Sequence, residues 1–482
     1  MISSTRRTFS VHRAALHRRY LATSAPQGPS GHHGLLPGSS QSAITSKLHF
    51  FNSVMGNDET IPTYRIISKD GEPVEGATLP NIDEGFGRRI YETMSTLPLM
   101  DNVLYNVQRQ GKISFYMTSH GEEASIVGSA AALAPDDEIL GQYREAGAIL
   151  WRGLTVEEYI AQCFGNDEDK ATKGRQMPVH IGSPKYHFHT ISSPLATQIP
   201  QAAGVGYALK RDPKRRGKNC AMVYFGEGAA SEGDFHAGML LASTIPSPTL
   251  FFARNNGFAI STPSSEQYHG DGIASRGAGY GVDTVRVDGN DVLAVLSATR
   301  EARRRCVEYG RAVLVEAMTY RISHHSTSDD SFAYRARSEV DNWVKSDNPL
   351  SRFRLFLEGR GWWSSAEEED MKTRIKKTVM QAFKRAESRK RPELKELFRD
   401  VYAGPEPWNI VRNDAFRHFY YSKHRFINAF PSEFFATIAN IQTEQREELA
   451  TLLKKYGQVW EPWKRELVKF KGSGQELTQV KK

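Results

Sequence analysis

The sequence lacks any apolar run approaching the ~18 residues of a bilayer-crossing helix, so no membrane span is expected. Cysteine is scarce. Cys163, Cys220 and Cys306 are widely spaced and odd in number, offering neither a disulfide framework nor a zinc site and suiting a reducing compartment. Acidic residues are missing from residues 1–57, which carry six basic ones: Arg6, Arg7, Arg13, Arg18, Arg19 and Lys47. Without that segment 57 basic residues face 55 acidic ones, and the formal charge falls from +8 to +2. The basic balance is therefore a property of one end, and no nucleic-acid partner is expected. No internal repeat is visible.

What is present begins with that end. An acid-free, Arg- and Ser-containing segment has the composition of an organelle transit peptide, and Arg18-Arg19-Tyr20 before Leu21-Ala22 suits a matrix-peptidase cut. The alternative is a disordered basic tail. Pro26 to Ser42, mostly Gly, Pro, Ser and His, reads as linker. The remainder of the 482 residues, at 39% hydrophobic content, can hold one large domain or two ordinary ones. The expected divisions are 1–57 as transit peptide and linker, 58–402 as an α/β domain, and 403–482 as a C-terminal helical tail.

From Tyr64 to about Val401, short apolar runs alternate with helical patterns. Strands are predicted at Ala221–Phe225, Thr249–Ala253, Thr284–Val287 and Ala312–Ala317. Helices are predicted at Ile90–Gln108, Val156–Phe164, Asp291–Tyr309 and Ala366–Arg389. The alternation predicts a mostly parallel sheet covered by helices on both faces, with ligands beyond the carboxyl ends of its strands.

The Ala221–Phe225 strand runs into Gly226-Glu227-Gly228, followed about thirty residues later by Arg254-Asn255-Asn256-Gly257. Glycines there would let the chain turn sharply close to a phosphate, with Ala229–Ala242 pointing helix amides at the anion. Magnesium takes oxygen ligands in octahedral array, so Glu227, the Asn256 side-chain oxygen and the Phe258 carbonyl form a candidate set. An ordinary tight turn with a solvated acid is the alternative.

Three other segments carry polar chemistry. Gly141-Gln142-Tyr143-Arg144-Glu145-Ala146-Gly147 sets an aromatic beside a guanidinium able to bind phosphate in bidentate fashion, or to form a surface ion pair. Thr190-Ile191-Ser192-Ser193-Pro194-Leu195-Ala196-Thr197-Gln198 could hold a monovalent cation or cap a helix beginning near Thr197. In Arg321 to Asp330, His325 can donate to phosphate or act as a general acid/base, and the His324-His325 pair could bind metal. A phosphoryl group on Ser326 would carry about two negative charges into the site.

In order and spacing Gly226-Glu227-Gly228 and Asn255-Asn256 resemble the thiamin diphosphate fingerprint, Gly-Asp/Glu-Gly followed about thirty residues later by Asn-Asn. Together with the other segments they resemble the alpha subunits of the decarboxylase component of the mitochondrial branched-chain 2-oxo acid dehydrogenase complex, from about Ile61 to Tyr402 and again near Glu444. The resemblance implies the diphosphate-binding half of a thiamin diphosphate fold. Gln142, Tyr143, Arg144, Ser193, Leu195, Gly226, Gly228, Ala229, Arg254 and His325 would hold the cofactor, with Leu195 and Tyr143 also facing the substrate side chain. Glu227, Asn256 and Phe258 would bind magnesium. Ser192, Pro194, Thr197 and Gln198 would bind potassium. His325 would also be catalytic, near lipoyl transfer. Ser326 would be an inhibitory phosphorylation site, in a loop that Arg321, Asp329, Tyr334 and Arg335 help to order.

The implied activity is decarboxylation of branched-chain 2-oxo acids and reductive acylation of a lipoyl group on an acyltransferase core. The implied partners are a beta subunit in an α2β2 heterotetramer, which completes the site, and a regulatory kinase and phosphatase. The implied location is the mitochondrial matrix. The alpha subunit of pyruvate dehydrogenase is the nearest alternative, and a catalytically silent assembly or regulatory subunit is one of another class. Glu227 in place of aspartate, Lys173 to His180 and the Ser326–Asp330 loop favour the branched-chain member.

Three features depart from the family pattern. Phe258 stands where tyrosine is frequent, and Ala336 stands at what resembles a second phosphorylated serine. Val411 to Gln442, 32 residues rich in Phe, Tyr, His and Asn, has no counterpart. Valine codons begin GT, glutamine can be CAG, and Ala439-Asn440 can be written GCTAAC, an intron branch point. The stretch reads as a translated intron or a lineage-specific insertion.

Overall fold

A computed structural model describes residues 60–393 and Glu396. The N-terminal segment 1–57, the tail 403–482 and the stretch 411–442 lie outside the described residues.

Nine strands are described: β1 (Thr63–Tyr64), β2 (Glu138–Leu140), β3 (Phe188–His189), β4 (Ala221–Gly226), β5 (Thr249–Asn255), β6 (Phe258–Ala259), β7 (Thr262–Pro263), β8 (Asp283–Asp288) and β9 (Val313–Met318). Seven form one sheet in the order β1-β8-β9-β5-β4-β2-β3, every pairing parallel, while β6 and β7 make a small antiparallel hairpin. Parallel strands buried on both faces need continuous apolar runs. Ala221 to Phe225 and Leu250 to Ala253 supply them, all fully buried.

The two-residue period of a strand divides these side chains between two cores. Cys220, Met222, Tyr224, Leu250, Phe252, Val313 and Val315 face one, packed with helices Glu84–Arg109, Glu123–Ala131, Val292–Tyr309 and Ser365–Ser388. Ala221, Val223, Phe225, Phe251, Ala253 and Leu314 face the other, with helices Gln198–Arg211 and Gly233–Thr244. The sheet is thus covered on both faces. Among the described residues no helix is long and apolar enough to cross a membrane, and the three cysteines are buried and free.

The four predicted strands are present, each within two residues at either end. Val156–Phe164 is a helix closed by a Thr155/Glu158 capping box and by Gly165 at φ 57°. The first long helix begins at Glu84 rather than Ile90, because Asp83 caps it by accepting from the Phe86 N–H at 2.7 Å. The last ends at Ser388, one residue before the predicted end. Polar cap residues carry no apolar periodicity, so the pattern understates helix ends. Ala229–Ala242 is not one helix. It is divided between Glu227–Ala230 and Gly233–Thr244, with Ser231 and Glu232 in the break.

Candidate functional site

Five of the polar segments lie at the carboxyl ends of parallel strands. Gly141 to Gly147 follows β2, Thr190 to Gln198 follows β3, Glu227 onward follows β4, Asn256 onward follows β5, and the histidine loop follows β9. The register pairs Gly226 with Arg254 at the ends of β4 and β5. One edge of the sheet therefore collects residues from across nearly two hundred positions.

Arg144 is buried and reaches that loop. Its Nη1 donates to the Thr118 carbonyl at 2.5 Å, and its Nη2 to the Nδ1 and backbone carbonyl of His325 at 3.1 and 2.5 Å. A guanidinium can only donate, so Nδ1 accepts and the neutral ring carries its proton on Nε2. Burial first, then the charges of Arg144 and Arg321, push the His325 pKa down to about 3. The Tyr143 ring meets His325 edge-on at 6.0 Å. Arg321 donates to the Tyr334 hydroxyl at 2.8 Å, and that hydroxyl donates to Asp329 at 2.7 Å. Asp329 also accepts from the His325 N–H at 2.7 Å, and Arg335 donates to the carbonyls of Arg321, Ile322 and Ser323. Ser326, half-buried, accepts from the Ser328 N–H at 3.3 Å.

Glu227 and Asn256, both buried, stand just beyond the ends of the paired strands β4 and β5. Glu227 accepts from the Gly257 N–H at 2.7 Å, and Asn256 Oδ1 accepts from the Phe258 N–H at 3.2 Å. Burial, reinforced by the Glu122 charge, raises the Glu227 carboxyl to about 8. A hard cation beside it would hold it ionised. Gly257, at φ 84°, turns the chain between the candidate ligands Asn256 and Phe258. Gly226 does not act as expected. Its φ is −120° and ψ −169°, extended backbone open to any residue, and its N–H is taken by the Gln142 side chain at 3.1 Å. At Gly228 an added Cβ would make only ordinary contacts, 3.4 Å from Ala259 and 3.6 Å from Leu195.

On the turn after β3, Ser192, Ser193, Pro194 and Leu195 lead through Ala196, at φ 67°, into the helix Gln198–Arg211. Gln198 donates through Nε2 to the Tyr224 carbonyl at 2.9 Å, which leaves its oxygen as the end available to a cation. Thr197 stands at the N-cap position but in helical conformation, with no side-chain capping bond, so the capping alternative does not describe this turn. His324 and His325 diverge, the first accepting from the Ser331 N–H at 2.9 Å, as adjacent residues must when one faces the loop and the other the sheet. Among the described residues no group of three or more His, Cys, Asp or Glu could hold a metal.

Three residues that the sequence reading did not single out complete the geometry. Glu122 and Glu145, both buried, form ion pairs with the two Nη atoms of Arg254. Glu122 also accepts from Asn256 Nδ2 at 2.8 Å, and Glu145 from the Gln142 and Tyr143 N–H groups at 2.7 and 2.8 Å. His180 donates from Nδ1 to the Pro178 carbonyl at 3.0 Å and pairs through Nε2 with the Ser193 hydroxyl at 2.8 Å. The only sequence signal for these was their presence near polar motifs. The set suits a phosphate ester and a divalent cation. The Arg254 and Arg321 Nε–H donors are buried without a partner, and carboxylate, amide and carbonyl oxygens are the donors a hard cation takes.

Residues 91–395 match the family described as "Dehydrogenase E1 component". The chain is 52% identical over 367 residues to the Caenorhabditis elegans protein named 2-oxoisovalerate dehydrogenase subunit alpha, mitochondrial, covering 76% of this chain and 83% of that one. It is 53% identical over 368 residues to the Bos taurus protein of the same name, covering 76% and 79%. An Arabidopsis thaliana relative, 2-oxoisovalerate dehydrogenase subunit alpha 1, mitochondrial, is 50% identical over 358 residues, 74% of this chain and 75% of its own.

Proposed function

The chain belongs to the dehydrogenase E1 component family, and from that premise we propose that it is the alpha subunit of a mitochondrial branched-chain 2-oxo acid dehydrogenase. It is a thiamin diphosphate-dependent decarboxylase component, working with a beta subunit and an acyltransferase that carries the lipoyl group. The observation that carries the site reading is the meeting of Arg144, Arg254, His325, Glu227 and Asn256 at the carboxyl ends of neighbouring parallel strands.

When bound, thiamin diphosphate supplies the nucleophile that takes up a 2-oxo acid's keto carbon and the electron sink for loss of carbon dioxide. The chain's residues bind and orient. Arg144 and Arg254 would offer guanidinium donors to the diphosphate, and neutral His325 would add its Nε2–H. Gln142, Tyr143, Ser193, Leu195, Gly226, Gly228 and Ala229 line the same edge, and His180 holds the Ser193 hydroxyl. Glu227, Asn256 and the Phe258 carbonyl would take magnesium, and Ser192, Pro194, Thr197 and Gln198 potassium. Leu195 and Tyr143 would meet the branched side chain, and His325 would assist near lipoyl transfer. Ser326 would receive a kinase's phosphoryl group, removed by a phosphatase, in an α2β2 assembly.

Residues 1–57 would be a transit peptide and linker, 58–402 the cofactor domain and 403–482 a helical tail. Within that tail Val411–Gln442 would be a translated intron, which a mature transcript retaining those 32 codons would refute.

The test is decarboxylation of 3-methyl-2-oxobutanoate against pyruvate, with thiamin diphosphate, magnesium and potassium, by residues 21–482 with and without a matched beta subunit. Activity only with beta, favouring the branched acid, is expected. A preference for pyruvate would assign the chain to the pyruvate enzyme, and no activity with beta would indicate a silent subunit or a chain spoiled by 411–442. Deleting 411–442 separates those two.

A further inference from the structure

Resting on that reading of Asn256 as a metal ligand, we propose that Glu122 is a positioning residue that decides which end of the Asn256 amide faces the magnesium and locks that choice to Arg254. Glu122 sits just before helix Glu123–Ala131 and is fully buried. Its Oε1 accepts from Asn256 Nδ2 at 2.8 Å, and its Oε2 pairs with Arg254 Nη1. A primary amide has two ends of nearly equal shape, and a bare cation accepts only the oxygen end. An ionised carboxylate can only accept, so it selects the nitrogen end and turns Oδ1 to the opposite side. There, among the described residues, Oδ1 accepts a hydrogen bond only from the Phe258 N–H, at 3.2 Å, from the residue whose carbonyl is the next candidate ligand.

Both Glu122 oxygens are taken by donors, Oε1 by Asn256 Nδ2 and Oε2 by Arg254 Nη1, so the side chain presents only an acceptor to the amide. Arg254 passes the constraint onward, since its other Nη pairs with Glu145, which receives the Gln142 and Tyr143 N–H groups. One buried chain, Glu122–Arg254–Glu145, therefore ties the metal ligand to the phosphate-binding turn. Outer partners that orient ligands in this way are commonly worth about 10- to 100-fold in metal affinity.

The pairing is tested by exchanging donor and acceptor. Cofactor-dependent Mn2+ binding to the alpha–beta holoenzyme is followed by the free-ion EPR signal for wild type, Glu122→Gln, Asn256→Asp, the double variant and Asn256→Ala. Glu122→Gln frees the amide to turn over, and Asn256→Asp sets two carboxylates face to face. Each is expected to weaken Mn2+ about tenfold or more. The double variant restores one donor and one acceptor and is expected to recover to within about threefold of wild type. Wild-type affinity in Glu122→Gln, or a double variant no tighter than the singles, overturns the inference. Should Glu122→Gln fail to assemble, recovery of both assembly and Mn2+ binding in the double variant supports the pairing, and its failure to recover overturns it. Unchanged Mn2+ binding in Asn256→Ala would instead overturn the metal reading and the inference with it, whereas loss there with no loss in Glu122→Gln removes the inference alone.

Discussion

Arg144 and His325, 181 residues apart, are joined by one guanidinium nitrogen that donates to both the ring Nδ1 and the backbone carbonyl of the histidine. That double contact sets the ring's tautomer and the position of its loop together.

Lysine at 144 would carry the charge but not the planar fork, and could not serve Thr118 and both His325 atoms at once. Arg144→Lys is expected to raise the thiamin diphosphate concentration for half-maximal activity by about tenfold or more. Titration of the apoenzyme with cofactor measures it.

His325 titrates near 6.5 when unfolded and is pushed to about 3 when folded, by burial first and then by Arg144 and Arg321. Between those values the unfolded chain binds the extra proton, so stability falls as pH drops from 6.5 toward 3. The slope from this one group approaches about 1.4 kcal/mol per pH unit. His325→Asn should flatten the stability–pH curve in that window and leave it unchanged above pH 7.5, as followed by denaturant unfolding of the apo protein.

Gly257, at φ 84°, has nothing within 4 Å of an added Cβ, so alanine there costs backbone strain rather than a clash. About 1–2 kcal/mol of stability should be lost in Gly257→Ala. Because the Gly257 N–H also holds Glu227, magnesium affinity should fall with it. Thermal unfolding at saturating and at zero magnesium separates the two effects.

Ser326 follows His325 and lies three residues before Asp329, whose carboxylate holds the His325 N–H. A second negative charge there opposes Asp329 and competes for Arg321 and Arg144. Ser326→Glu is expected to lower decarboxylation by more than about tenfold while raising protease sensitivity of the 321–335 loop. Limited proteolysis with and without cofactor checks the second outcome.

Much of the fold was legible because its signals are local. Short unbroken apolar runs such as Ala221–Phe225, ended by a glycine turn, read as interior strands, and Thr155 with Glu158 fits a helix start in four residues. Short edge strands such as Thr63–Tyr64 and Phe188–His189 carry too few residues to show a period. The break at Ser231-Glu232 was hidden because both flanking stretches favour helix.

The sequence by itself determined where the polar turns fall, since turn residues, hydroxyls, an amide and guanidinium groups cluster within a few positions after each strand. Only the tertiary structure decided who holds whom. Glu122 meets Arg254 and Asn256 across 132 and 134 residues, and His180 meets Ser193 across a loop. In sequence Glu122 is one acid beside another ahead of a helix, a pattern that equally describes a solvated helix start. Its burial between two site residues follows from the parallel register of β4 and β5 and from the helix packed over them. Those are properties of strand order, which no local spacing encodes.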